Sequence, residues 1–282
     1  MSELASAGPP GDGGAWAVVA DIARGLEAAL DGRLLGLYVH GSLVAGDFSP
    51  TRSDTDLFAV LPTPPDEATL AAVAPVHEWV EARHTAWRGR VEVETVGLPT
   101  LVGVRCDTSP EVFAPADRIM RVSPGEGLHL LPTTAHRILT WATVREKGRA
   151  VIGPPSTELL PSFRAELTRA ALLEHVRDWP TWVEDMRSVG GQAYAVLSIC
   201  RAWGAVVEGE QRSKKAAADR FAATRPDDAG LVAWARDWWY SGGSDQEPDR
   251  FADVQGFVVR TSRDILGRAG QGLWHDAVRR WP

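Results

Sequence analysis

Only two of the 282 residues are cysteine, Cys106 and Cys200, too few for a disulfide scaffold. No apolar run approaches the roughly 20 residues that a membrane-spanning helix requires. The 27 glycines follow no three-residue period, which excludes a collagen-like chain. Positive charge is in deficit, with 30 Lys plus Arg against 37 Asp plus Glu, a net −7. Such a chain lacks the basic face that long nucleic acid demands, so a polymerase acting on RNA is disfavoured. The opening residues lack the basic-then-apolar order of a secretory signal, and the cytoplasm is the expected compartment. What is present is ordinary: 44% hydrophobic and 24% charged residues. These are the proportions of a globular protein with ample material for a core.

The pattern changes near residue 150. Residues 1–14, rich in Gly, Pro and Ala, read as a flexible start. Helix is then expected over 15–34, strand over 35–40 and strand again over 55–61, closed by Pro62, Pro64 and Pro65. An amphipathic helix follows over 66–85, with a kink expected at Pro75. The next strand covers 90–98, where Val91, Val93 and Thr95 alternate with Glu92, Glu94 and Val96. Gly153-Pro154-Pro155 is a strong break. Beyond it helical periodicity dominates, over 162–177 (Ser162 as cap), 193–208, 214–224, 229–240 and 251–266. The expected architecture is α+β: a mixed sheet flanked by helices over 15–153, then an all-α helical bundle over 154–282.

The chemistry concentrates in 38–60. A buried strand ends in Gly41-Ser42, where a glycine permits close approach of a ligand and a short helix start could hold a phosphate. Twelve residues after Ser42 comes Asp54, and two residues later Asp56. On a strand these two point to one face. Paired carboxylates repel unless a cation lies between them, and oxygen-only ligands favour a hard divalent ion such as Mg²⁺. Glu92 and Glu94 repeat the spacing on the next strand. One of them, if adjacent, would complete a three-acid cluster able to accept a proton from an attacking hydroxyl. Taken alone, an Asp-x-Asp is more often a turn with solvated acids, and a Glu-x-Glu the wet face of an edge strand.

The string from Gly41-Ser42 to Asp54-Thr55-Asp56 resembles the signature of the DNA polymerase beta-like nucleotidyltransferase superfamily. Extended to Leu57, it is similar to the aminoglycoside nucleotidyltransferases, above all to the streptomycin/spectinomycin adenylyltransferases with their helical C-terminal domain. Val91-Glu92-Val93 resembles the strand carrying that family's catalytic base, which assigns the role to Glu92; an ungapped count from the aspartates favours Glu94. The stretch 145–154 resembles the family's interdomain strand and break. Val196 to Trp203 resembles its helix with a nucleotide-contacting arginine, here Arg201. Ser213 to Asp219 resembles its Lys-x-x-Ala-Ala-Asp segment, with the lysine at Lys214, and Tyr240 aligns with a tyrosine near the nucleotide.

The resemblance implies an adenylyltransferase using ATP as donor and Mg²⁺ as cofactor. Asp54 and Asp56 are then the metal ligands. Gly41, Ser42, Ser53, Arg201, Lys214 and Tyr240 hold the nucleotide, and Glu92 is the base. Partners are ATP and a small-molecule acceptor in an interdomain cleft, an aminoglycoside or aminocyclitol such as streptomycin or spectinomycin, with no nucleic acid and no membrane. A monomer is expected. On residue chemistry alone, Lys214 reads more readily as a solvated lysine beside Arg212 and Lys215. Arg201 could pair a surface acid, and Tyr240, after Trp238 and Trp239, could be core. His40 reads as a strand residue close to the pocket and Cys200 as a small buried side chain. Trp182, Trp203, Trp234, Trp238 and Trp239 read as core.

The chain departs from the family in its acceptor half. Gly191 and Arg187 stand where the resemblance places drug-binding acids, with Glu184 and Asp185 nearby. No tryptophan in 108–127 matches the family's drug-stacking one. The same chemistry on a metabolite or protein hydroxyl is the first alternative, and a non-catalytic nucleotide-binding regulator the second.

Overall fold

The computed structural model describes residues 12–106, 118–123 and 125–270. Most of the start read as flexible lies outside them, as does 107–117. The chain forms two compact units dividing between Arg164 and Ala165.

The first unit is built on a six-stranded mixed sheet in the order β5-β4-β3-β2-β1-β6. The strands are β1 (Gly36–His40), β2 (Thr55–Leu61), β3 (Val91–Gly97), β4 (Arg118–Ser123), β5 (Glu126–Pro132) and β6 (Arg149–Ile152). Only β2 and β3 run parallel; β1–β2, β1–β6, β3–β4 and β4–β5 are antiparallel. The helices are α1 (Ala15–Leu30), α2 (Ser42–Ala45), α3 (Glu67–Arg83), α4 (Leu98–Cys106), α5 (Arg137–Lys147) and α6 (Ser156–Leu159). Helix α3 is the crossover that a parallel pair requires. It starts on Asp66, whose carboxylate accepts from the Thr69 N–H at 2.8 Å, and continues through Pro75.

Strand alternation sorts the sheet's two faces. Leu37, Val39, Leu57, Ala59, Leu61, Val91 and Val93 form one core with Val19, Ile22, Leu26 and Leu30 of α1 and Val73 and Val80 of α3. The intervening residues, His40, Asp56, Phe58, Glu92 and Glu94 among them, face the other way. A fully buried Leu or Ile in such a core contributes about 1.5–3 kcal/mol, so the register that keeps this set inward is strongly specified. The same register commits the acids to the opposite face.

The expected break at 153 is a turn inside this unit rather than its end. The Tyr38 hydroxyl donates to the Pro154 carbonyl at 2.9 Å, and the Ser156 hydroxyl to the Arg145 carbonyl at 2.9 Å. These bonds tie the segment back to β1 and α5.

The second unit is helical: α7 (Ala165–Trp182), α8 (Val189–Trp203), α9 (Lys214–Thr224), α10 (Ala229–Tyr240) and α11 (Phe251–Gly270). Helix α8 is buried on nearly every side, as a central helix must be. Trp203, Phe221 and Phe257 meet edge to face, with centroids 5.2 and 5.5 Å apart. Ser188 and Ser213 cap α8 and α9 by accepting from the Gly191 and Ala216 N–H groups. Ser162 caps nothing, since α7 begins at Ala165. No described helix is long and apolar enough to cross a membrane.

Candidate active site

Strand β1 ends at His40, and the next residue, Gly41, has φ 66° and ψ −149°. That conformation is close to glycine-only. A Cβ on Gly41 would also run into the Asp56 carboxylate, 2.8 Å from its Cγ. The glycine is thus the floor of a cradle occupied by Asp56. Ser42 opens α2 directly afterwards. The chain returns through the 46–54 loop into β2, antiparallel to β1, with His40 opposite Asp56.

That loop closes on itself. Ser53 is buried; its N–H donates to the Ser49 carbonyl at 2.8 Å, and its hydroxyl accepts from the Ser49 N–H at 2.9 Å. Arg90 clamps it from outside, donating to the carbonyls of Pro50 (2.9 Å) and Ser53 (2.5 Å) with its guanidinium 4.5 Å from the Trp87 ring centroid. Burial lowers the Arg90 pKa, and the charge of Asp54 works against that shift. Arg90, read from the sequence only as the start of a strand, fixes the approach to Asp54.

On the other side of β2 the parallel register sets Asp56 opposite Glu92 and Phe58 opposite Glu94. The two glutamates share a face but differ in depth. Glu94 is 1% exposed and accepts from Arg137 Nη1 at 2.8 Å and Trp141 Nε1 at 2.7 Å, both on α5. Its lone pairs are engaged in seating a helix. Glu92 lies one pleat nearer the strand ends, level with Asp56, and its side chain keeps 21% exposure. It accepts from Arg121 of β4 at 2.9 and 3.2 Å. Arg121 is a second partner that sequence reading missed.

His40 is buried beside these acids. Burial lowers its pKa more than the charges of Glu92 and Glu94 raise it, so the imidazole is neutral near pH 7 and adds no positive charge.

Among the described residues no group of three or more His, Cys, Asp or Glu side chains is gathered closely enough to hold a metal ion. The expected three-acid cluster is therefore not drawn together. Like charges repel, and Glu92 takes its countercharge from Arg121. The donor chemistry nonetheless fits Mg²⁺. Asp54 and Asp56 are partly exposed oxygen donors two residues apart, and Mg²⁺ characteristically takes one or two carboxylates with the rest from phosphates and water.

In the helical unit, Arg201 is exposed in the last turn of α8, beside the free and buried Cys200. Lys214 is the first residue of α9, and Tyr240 the last of α10. The structure brings Lys214 against two rings: its Nζ lies 4.7 Å from the Tyr194 centroid and 4.6 Å from that of Trp239. Tyr194 had no signal in the sequence beyond being an aromatic on a helix. Trp203 and Trp238 are core as read, whereas Trp182, Trp234 and Trp239 are only partly buried. Gly191 donates to the Ser188 cap, and Arg187 stacks over Phe251 at 3.9 Å. Glu184 and Asp185 are exposed in the turn after α7. Of the segment 108–127, which holds no stacking tryptophan, residues 108–117 and 124 lie outside the described residues.

Residues 158–264 match the family model described as the C-terminal domain of aminoglycoside adenylyltransferase. No curated protein matches the sequence. Among solved structures, the chain is similar to spectinomycin adenyltransferase AAD(9) from Enterococcus faecialis, crystallised with ATP and spectinomycin. The TM-score is 0.72 at 14% identity, over 88% of this chain and 99% of that one. At that identity the likeness speaks for the fold.

Proposed function

We propose that this protein, whose residues 158–264 match the C-terminal domain of aminoglycoside adenylyltransferase, is an enzyme of that family and transfers AMP from ATP to a hydroxyl of a small molecule. The leading acceptor class is the aminocyclitol antibiotics, such as streptomycin or spectinomycin. The observation that carries the reading is the lateral register His40–Asp56–Glu92 beside the Gly41 cradle. It aligns a carboxylate suited to a metal with a second suited to a proton, at one strand level. Adjacent strands lie about 4.8 Å apart, within the span of one reacting group.

Asp54 and Asp56 are the residues that would hold Mg²⁺, whose chemistry when bound is to neutralise the triphosphate and polarise the α-phosphate. Glu92 accepts the proton of the acceptor hydroxyl as its oxygen bonds to the α-phosphorus. The bond from phosphorus to the departing pyrophosphate breaks, and pyrophosphate leaves. For that, Glu92 must exchange Arg121 for the hydroxyl. Both side chains are about one-fifth exposed, so solvent and a ligand can reach the pair. Gly41, Ser42 and Ser53 are the proposed phosphate contacts of this unit, Ser53 through the loop it closes. Arg201, Lys214 and Tyr240 are the proposed nucleotide-binding residues of the helical unit, where the two cations match polyphosphate oxygens.

Gly191 and Arg187 favour a second reading of the acceptor. With no acid at either position and a cation at one, an acceptor carrying fewer positive charges than streptomycin fits as well. The test is a panel of aminocyclitols and other polyols incubated with ATP and Mg²⁺. Pyrophosphate release and a mass gain of about 329 Da, one AMP unit, are read in parallel. Activity is expected on at least one small acceptor and is expected to vanish in Asp54→Ala. Turnover retained in that variant refutes the metal assignment.

A further inference from the structure

Lys214 is the only cation of α9 and its flanks that has no carboxylate partner among the described residues. Arg212 pairs with Glu208 and Glu210, Lys215 with Asp219, Arg220 with Glu208 and Arg225 with Asp264. Asp219, the nearest acid along the helix, is taken by Lys215 and by Arg236 of α10. Lys214 also stands at the first position of α9, where the helix's own positive end disfavours a cation. What retains it is the pair of ring faces at 4.7 and 4.6 Å, inside the range of cation–π attraction.

The rings are themselves braced. Tyr194 leans on Trp179, a core residue 1% exposed, with centroids 6.1 Å apart. Trp239 leans on Trp238 at 6.2 Å, and the Trp238 indole donates to the Ser244 carbonyl at 3.1 Å. Tyr194 and Trp239 are 6.0 Å apart at 42°, and the ammonium lies equally close to both. An aromatic face attracts a cation without neutralising it, whereas a carboxylate would cancel its charge. A long lysine side chain otherwise gives up rotamer entropy when it is fixed on a ligand. Held against two rings, the lysine has already incurred most of that loss.

We infer that Tyr194 and Trp239 are positioning residues that hold the Lys214 ammonium fixed and uncompensated, ready for a phosphate of the nucleotide. The inference rests on the nucleotidyltransferase reading above. The rings touch neither phosphate nor base in this scheme; they act through the lysine.

The test is ATP affinity by calorimetry in the presence of Mg²⁺, with no acceptor required. Wild type is compared with Lys214→Ala, with Tyr194→Leu and Trp239→Leu singly and together, and with those changes on the Lys214→Ala background. The ring-to-leucine double variant is expected to weaken ATP roughly 5- to 10-fold, close to the loss in Lys214→Ala. On the Lys214→Ala background the same changes are expected to have no further effect. Tyr194→Phe, which keeps the face and drops the hydroxyl, should bind like wild type. Tyr194 is the exposed wall at 37%, so Tyr194→Leu alone keeps the test readable should Trp239→Leu unfold. A ring effect that persists in full without Lys214, or no ring effect in a protein whose ATP binding depends on Lys214, overturns the inference and leaves the nucleotide reading standing. A wild-type protein that does not bind ATP overturns both.

Discussion

Glu92 and Glu94 sit on one face of one strand, yet replacing each by glutamine should do opposite things. Glu94 is almost wholly buried and holds two donors, Arg137 at 2.8 Å and Trp141 at 2.7 Å. Removing one member of a buried ion pair costs about 3–5 kcal/mol, because the other charge is left uncompensated. Arg137 keeps 18% exposure and can recover some hydration, which argues for the lower end, about 3 kcal/mol. For a unit of this size 1 kcal/mol shifts Tm by about 2–4 °C, so Glu94→Gln should lower Tm by roughly 6–12 °C. Its transfer activity, measured well below that Tm, should stay within a few-fold of wild type. Glu92 and Arg121 both reach solvent, and that pair is worth about 1 kcal/mol or less. Glu92→Gln should move Tm by no more than about 4 °C while reducing kcat by about 10²- to 10⁴-fold, the usual contribution of a general base. Differential scanning calorimetry and a pyrophosphate-release assay measure the two quantities. A Glu92→Gln enzyme within threefold of wild-type kcat, or a Glu94→Gln protein with unchanged Tm and no activity, refutes the assignment.

Two further outcomes follow from local geometry. Gly41→Ala combines a positive φ with a Cβ aimed at the Asp56 carboxylate, so it should cost about 1–3 kcal/mol and depress activity more than stability; a fully active Gly41→Ala enzyme contradicts the cradle. His77 on α3 is buried with Nε2 unpartnered, and burial pushes its pKa down to about 4 from the usual 6.5. The folded protein keeps it neutral while the unfolded chain protonates it, so stability falls as pH drops from 6.5 to about 4, by about 3 kcal/mol at full extent. His77→Leu should flatten the decline of Tm across that window, and parallel declines in both proteins would exclude His77 as the cause.

The elements that carry the site were the easiest to read. Strand β2 and helices α9 and α10 begin and end where periodicity puts them. Between the strand expected over 90–98 and the one implied over 145–154 nothing was legible, although that stretch holds α4, β4, β5 and α5. Strand β5 is an edge strand with most of its side chains partly exposed, so no buried alternation marks it. Helix α5 begins without a side-chain cap. That unread stretch supplies Arg121, Arg137 and Trp141, which make the two glutamates unlike. Local sequence treats Glu92 and Glu94 as equivalent, since both follow a valine on one strand face. Only partners 29 to 47 residues away separate them. Tyr194 is the same case, because its meaning comes from Lys214 and Trp239 on two other helices.

The motif that was legible is a statement about register more than about spacing. Gly41 and Asp56 are neighbours because β1 and β2 pair antiparallel with His40 opposite Asp56. The intervening α2 and the Ser49–Ser53 turn only have to close the connection. The parallel pairing of β2 with β3 then carries the same level across to Glu92. Shifting β2 by one residue would turn Asp56 into the α1–α3 core and bring Leu57 to the site, at the cost of every buried side chain on that strand. The apolar residues Leu57, Ala59 and Leu61 therefore hold Asp56 against Gly41 as firmly as any contact within the site. This is why a glycine, a serine and two aspartates spread over sixteen positions can specify chemistry that none of them specifies alone.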